Sequence, residues 1–366
     1  MANGSKDYSN GSIIFPSDLN PVICEQPRNY SPDMLKYVAF IYMVTSLLSV
    51  VGSSSIILFA LKKKIVSNHE IQPLFNLSLA DFFLGFGWFL ATCLWWVHPD
   101  GPSISTETCF YIEMFTQIFQ ITSFFLTVNY AVHVFIRVQQ RAVESGTRGF
   151  YYRKRGLFRG LYMFSWITPL LVMLPMIIYH SSHNFVHCSR CLVLIDQPKA
   201  RVYNETRVDV KNFAWRNYAS IVLLLTICFA ITVMLVLYFV ALRKLAGTMK
   251  RYSLLSVQQR QRAESNRKRV LLYIAVFFVC WLPALVVVLV KLATEEKYYD
   301  FKKMFVVFLI EAIFTPLQGF LNSLVYGWTR SSFRHFNEST SSYRRPLLPP
   351  DRFTTSIYGT SSPLAH

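Results

Sequence analysis

Seven long apolar runs constrain this chain more than any other feature: Tyr37–Leu61, Leu74–Val97, Phe110–Ile136, Leu157–Tyr179, Tyr218–Leu242, Val270–Leu292 and Met304–Gly327. Each is near or above the roughly 20 residues that a helix needs to cross a bilayer at about 1.5 Å rise per residue. Inside lipid the backbone polar groups must be satisfied within the segment, so such runs fold as helices. A membrane β-barrel would alternate apolar and polar residues over strands of about ten, and these runs do not alternate. The expectation is an all-α membrane protein, a seven-transmembrane helix bundle. Composition agrees. Of 366 residues 53% are apolar and only 16% charged, against about 25% charged in soluble domains. A disordered chain, a collagen-like chain and a disulfide-packed miniprotein are excluded.

The formal charge of +17 resembles a nucleic-acid signal until its distribution is read. The connections after spans one, three and five, together with the tail, hold 24 of the 37 Lys and Arg, counting Arg159 at the edge of span four. They hold only five of the 20 acids. This asymmetry predicts an extracellular N-terminus and a cytoplasmic tail, and it rules out nucleic acid as the partner of the basic residues. Met1–Asn20 has no basic and apolar leader pattern, so span one is expected to start insertion. The sequons at Asn3, Asn10, Asn29 and Asn204 all fall outside in this topology and are candidate glycosylation sites. The expected organisation is an extracellular glycosylated segment over residues 1–36 and a helix bundle over 37–327. An amphipathic helix on the inner leaflet follows over 328–337, then a disordered cytoplasmic tail over 338–366. The lipid bilayer is the first partner, and the plasma membrane the expected location. No internal repeat is visible, which argues against a repeat-built transporter.

Cys24, Cys109, Cys188 and Cys191 lie outside in this topology, and Cys93, Cys228 and Cys280 lie within spans. Four cysteines in an oxidising compartment predict two disulfides, with three connectivities open. A bond from Cys109 to Cys188 or Cys191 would tie the second outer loop to the top of span three. Cys24 would take the remaining partner. A zinc cluster of His180, His183, His187, Cys188 and Cys191 is the competing and less favoured reading.

An ionisable group at the bilayer centre costs about 2.5–3.5 kcal/mol on insertion scales, so each one needs a reason. Asp81 in span two is either a carboxyl hydrogen-bonded between helices or an ion- or proton-linked switch. Glu311, Thr315, Gln318, Asn322 and Tyr326 in span seven are spaced i, i+4, i+7, i+11 and i+15 and share one stripe. Span three carries a second stripe of Glu113, Gln117, Gln120 and Thr127. Both are expected to face the bundle interior, with Glu113 and Glu311 able to meet near the outer mouth. Glu113, Gln117, Gln120, Glu311 and Thr315 are therefore candidate ligand contacts, and their two acids suit a cationic or peptide ligand. Hydrogen bonding between helices is the plainer role, above all for the lower members. Pro316 and Gly319 permit a kink in span seven. Pro283 kinks span six beside Trp281, whose rotamer can then respond to packing.

No G-x-S-x-G, H-E-x-x-H or intramembrane metal cluster is visible, so neither an enzyme nor a cofactor is expected. Span seven contains no lysine that could bind retinal. A seven-helix transporter or channel, or a membrane scaffold that does not signal, is the alternative to a receptor.

Several motifs resemble those of G-protein-coupled receptors. Asn76-Leu-Ser-Leu-Ala-Asp81 is similar to the rhodopsin-like signature of span two. Trp166, Cys280-Trp281-Leu282-Pro283 and Asn322-Ser-Leu-Val-Tyr326 match counterparts in spans four, six and seven, although Ser323 stands where the family has proline. The Asp-Arg-Tyr triplet is missing from Tyr130–Arg137, and span five has no proline. Pro316-Leu-Gln318-Gly319 resembles a motif of secretin-like and cyclic-AMP-receptor-like families. The stretch Gln318–Leu348 most resembles the transmembrane protein 116 orphan group. The resemblance implies a receptor that repacks its helices on ligand binding and opens a cytoplasmic cleft to a heterotrimeric G protein. Asp81, Trp281, Pro283, Gln318, Asn322 and Tyr326 would form the activation switch. Arg137, Arg141 and Lys268 would line or rim the cleft. Phosphorylated serines and threonines at 339–342 and 354–356 would recruit arrestin. The extracellular ligand is unknown.

Overall fold

The computed structural model describes residues 12–15, 22–25, 32–64, 66, 71–97, 106–142, 148–183, 191, 199–202, 210–249, 257–293 and 301–327. The chain divides into two compact units, Met1–Tyr326 and Gly327–His366, and the site lies wholly in the first. Its helices are α1 (Pro32–Lys62), α2 (Gln72–Val97), α3 (Thr106–Ala142), α4 (Arg148–His183), α5 (Val210–Met249), α6 (Val257–Ala293) and α7 (Phe301–Phe314). A final helix, α8, covers Gln318–Gly327. Among the described residues six helices are long and apolar enough to cross a membrane, and α7 with α8 makes a bent seventh candidate. The seven runs expected from sequence lie within these elements.

One feature departs from the all-helical expectation. Strands β1 (Ser12–Phe15), β2 (Val22–Glu25) and β3 (Lys199–Val202) form a small antiparallel sheet in the order β1-β2-β3. Cys24 stands opposite Ile13 on one side and Ala200 on the other. Four-residue strands leave too short an alternation to read from sequence, so only the pairing reveals them.

α3 is the central helix and packs against α2, α4, α5 and α6, while α7 packs against α1 and α6. Trp88, Trp281, Tyr42 and Phe124 are among the largest fully buried side chains of the core. Much of the periphery is apolar and open: Phe164 and Leu171 on α4 and Leu225 and Phe239 on α5 are all exposed. A soluble protein would cover such rows, whereas lipid solvates them.

Two local features set the site. Pro169, Pro175 and Pro283 are absorbed within continuous helices, but Pro316 ends one. It has no N–H to give to the carbonyl of Ala312. Residues 315–317 form a turn, and α7 meets α8 at 44°. The kink expected in span seven is thus a break. Just below it α1 and α8 come unusually close. A Cβ on Gly52 would stand 2.6 Å from the Cα of Phe320, and one on Gly319 would collide with the hydroxyls of Ser53 and Ser49. At Gly52 the obstacle is backbone, so only glycine fits there, whereas a side chain at residue 319 would have to displace the two serine hydroxyls.

Candidate functional site: a polar network through the bundle

Both predicted stripes face inward. Glu113, Gln117, Gln120 and Thr127 are buried on α3, and Glu311, Thr315, Gln318 and Asn322 are buried across α7 and α8. Tyr326 is half-buried against Phe59. The helical period explains this: polar groups four and three residues apart share a face, and that face cannot be turned to lipid.

The lower members join into one chain of hydrogen bonds. Trp281 Nε1 donates to Gln318 Oε1 at 2.5 Å, and Gln318 Nε2 donates to Ser123 Oγ at 2.9 Å. Ser123 Oγ donates to Asp81 Oδ1 at 2.6 Å, and Asn322 Nδ2 donates to Asp81 Oδ2 at 2.8 Å. The carboxylate of Asp81 is thus held by two donors from two helices. The plain reading of Asp81, a carboxyl bonded between spans, is the geometry observed. The same bonds link α2 to α3, α8 and α6. Trp281 stands edge-on to Phe124 at 4.5 Å. Thr315 Oγ1 donates to the carbonyl of Cys280 at 3.0 Å, one turn before Pro283.

Nearer the Cys109 end, the hydroxyl of Tyr42 donates to Glu311. The Tyr42 ring is stacked on Trp88 at 4.9 Å. The Tyr42 hydroxyl brings α1 to the Glu311 end of the span-seven stripe. Gln117 Nε2 donates to the carbonyl of Ala219 on α5 at 2.9 Å. Gln120 is fully buried, and neither heteroatom of its amide has a hydrogen-bond partner among the described residues. At the opposite end Tyr130 meets Tyr273 edge-on at 4.7 Å, and the Tyr273 hydroxyl donates to the carbonyl of Asn322 at 3.4 Å.

Cys109 is bonded to Cys191, with Cα atoms 4.7 Å apart. Of the two partners left open for Cys109 this selects Cys191, and it removes Cys191 from any zinc cluster. Cys188 and the side chain of Cys24 lie outside the described residues. So do Asn3, Asn10, Asn29, Asn204 and the expected amphipathic helix and tail. Arg137, Arg141 and Lys268 lie on α3 and α6, but their side chains are likewise outside.

Three participants escaped the sequence. Ser123 stands three residues after Gln120 and four before Thr127, so the helical spacing of the α3 stripe could have found it. Tyr42 and Trp88 read as ordinary aromatic residues of a span.

The model of the family described as transmembrane protein 116 matches residues 35–348. This chain belongs to that family. The match covers all seven candidate spans. Among curated proteins the chain is similar to atypical chemokine receptor 3 of Canis lupus familiaris, at 23% identity over 87% of this chain and 82% of that receptor. It is also similar to cyclic AMP receptor-like protein C of Dictyostelium discoideum, at 22% identity over 75% of this chain and 67% of that protein. Somatostatin receptor type 3 of Homo sapiens matches at 23% identity over 89% of this chain and 71% of that receptor. The family member is therefore a multi-pass membrane protein of receptor-like kind: two of the relatives named here are receptors and the third is receptor-like.

Proposed function

We propose that this protein is an atypical receptor that passes a signal from an extracellular ligand to a heterotrimeric G protein by repacking its helices. The observation that supports this most is the unbroken chain of hydrogen bonds from Trp281 through Gln318, Ser123 and Asp81 to Asn322. It couples four helices with polar bonds across an apolar interior, where a change at one member changes the geometry at the others. The receptors among its relatives make signalling the natural class of function.

In this reading the N-terminus and the Cys109 end face outward at the plasma membrane. The ligand contacts are Glu113, Gln117, Gln120, Glu311 and Thr315. Two buried acids favour a cationic ligand, and the Gln120 amide offers it a donor and an acceptor. Asp81, Trp281, Pro283, Gln318, Asn322 and Tyr326 form the switch. Arg137, Arg141 and Lys268 meet the G protein on the opposite side, and the phosphorylated tail recruits arrestin. A ligand drives this switch only by binding the active packing more tightly than the resting one.

The test is a panel of G-protein biosensors in cells with the full chain at the surface, screened with amines, basic peptides and lipids. A dose-dependent response that is lost in untransfected cells and altered by Asp81→Asn supports the reading. Surface expression with no constitutive and no evoked response across the panel overturns it.

A further inference from the structure

α1 runs beside span seven and meets it at three levels with three polar side chains. Tyr42, Thr45 and Ser49 stand at i, i+3 and i+7 and so share a face of α1. Tyr42 reaches Glu311 on α7. Thr45 Oγ1 donates to the carbonyl of Ala312 at 3.0 Å. Ser49 Oγ accepts from the backbone N–H of Gly319 on α8 at 3.1 Å.

The last two bonds fall on backbone groups that the break itself uncovers. Pro316 has no N–H, so the carbonyl of Ala312 loses the donor that an unbroken helix would place four residues on. Gly319 is the second residue of α8, and the first four N–H groups of a helix have no acceptor within it. A buried backbone group left without a partner in a membrane is costly. Thr45 has one hydroxyl proton and three acceptors in reach: Ala312, Ile41 at 2.8 Å and Tyr42 at 3.3 Å. The carbonyls of Ile41 and Tyr42 already receive N–H donors inside α1, whereas that of Ala312 does not. The proton is worth most on Ala312. Gly52 and Gly319 bring the two helices close enough for these short side chains to reach.

We infer that Thr45 and Ser49 are positioning residues that cap the two facing ends of broken span seven. α1 thereby fixes the angle between the half bearing Glu311 and the half bearing Gln318 and Asn322. Nothing in this depends on whether the protein signals, and its test does not read signalling.

The experiment uses the full-length protein in lipid nanodiscs, spin-labelled at Val306→Cys on α7 and Leu324→Cys on α8. Both sites are exposed. Cys93 and Cys228 are replaced by serine, and the Cys109–Cys191 bond is kept. The parent gives one narrow distance distribution. Thr45→Val, which keeps the shape and loses the hydroxyl, broadens or shifts it and lowers the melting temperature by about 2–4 °C. Thr45→Ser restores both. In a Pro316→Ala background residue 316 regains its N–H and can serve Ala312 itself, so Thr45→Val then changes neither readout. That non-additivity separates capping from packing. An unchanged distribution for Thr45→Val overturns the inference, and so does an equal effect in both backgrounds. If Thr45→Val does not accumulate, Ser49→Ala takes its place: a broadened distribution supports the inference and an unchanged one overturns it.

Discussion

The indole of Trp281 donates its only N–H to Gln318, 37 residues away, at 2.5 Å. This bond joins the middle of α6 to the second half of span seven. Gln318 also donates to Ser123, so its side chain ties three helices. Replacing Gln318 by leucine keeps the volume but removes both bonds. The Trp281 N–H is then buried with no acceptor, at a cost of about 1–3 kcal/mol. The expected result is a lower melting temperature of the purified protein with a shifted tryptophan emission. An unchanged melting temperature would mean that the two bonds contribute nothing net.

Asp81 accepts from Ser123 and Asn322 on separate oxygens. Asparagine in its place keeps the shape but turns one acceptor into a donor, so it opposes one of the two existing donors. Asp81→Asn is therefore expected to reach the cell surface and to change constitutive or ligand-evoked signalling in the biosensor panel. The equivalent truncation at Trp281 is a poorer probe. That side chain is fully buried, and Trp→Ala in a core costs about 3–5 kcal/mol through the cavity alone. Trp281→Phe keeps an aromatic ring against Phe124 and removes the donor, with a much smaller cavity than alanine leaves. Wild-type signalling from both variants would make the network purely structural.

The stripe on span seven was legible because one chemical contrast, amide and acid against apolar, repeats at helical spacing from Glu311 to Asn322. The break was half legible, since Pro316 marks a lost bond but not a 44° turn. Partners were not legible. Tyr42 and Glu311 are 269 residues apart, and which aromatic meets which acid is decided by how α1 lies on α7. Cys188 and Cys191 are too close in sequence for spacing to choose between them. The hydroxyls of α1 are obscured for another reason. Serine and threonine within spans commonly bond back to their own helix, as Ser54 does to Val50 at 2.6 Å, so a hydroxyl alone does not announce a contact between helices.

Glu311 and Glu113 separate charge from contact. Glu311→Gln leaves an acceptor for the Tyr42 hydroxyl and removes only the charge. If a cationic ligand pairs with that charge, agonist potency falls by about tenfold or more, equivalent to roughly 1.4 kcal/mol. Tyr42→Phe should move potency less, because it leaves the carboxylate in place. Glu113→Gln is expected to act like Glu311→Gln. Concentration–response curves on the same biosensor decide this. Unchanged potency in both glutamine variants removes the acids from the pocket.

Cys109 and Cys191 close 82 residues of chain. A bond over so long a segment restricts the unfolded state and is worth about 4.5 kcal/mol on the chain-entropy account. Cys109→Ser, Cys191→Ser and the double variant remove the same bond, so all three should show the same fall in surface level and melting temperature. A single variant much worse than the double would mean that the freed thiol mispairs, with Cys24 or Cys188 as the candidates. The same bond tests orientation. A reductant that cannot cross membranes, applied to intact cells, should expose Cys109 and Cys191 to an equally impermeant thiol label. Asn204→Gln should remove one glycan from the same side, seen as a faster-migrating band. Labelling that requires permeabilised cells would place the Cys109 end inside and reverse the assignment of ligand and G-protein faces.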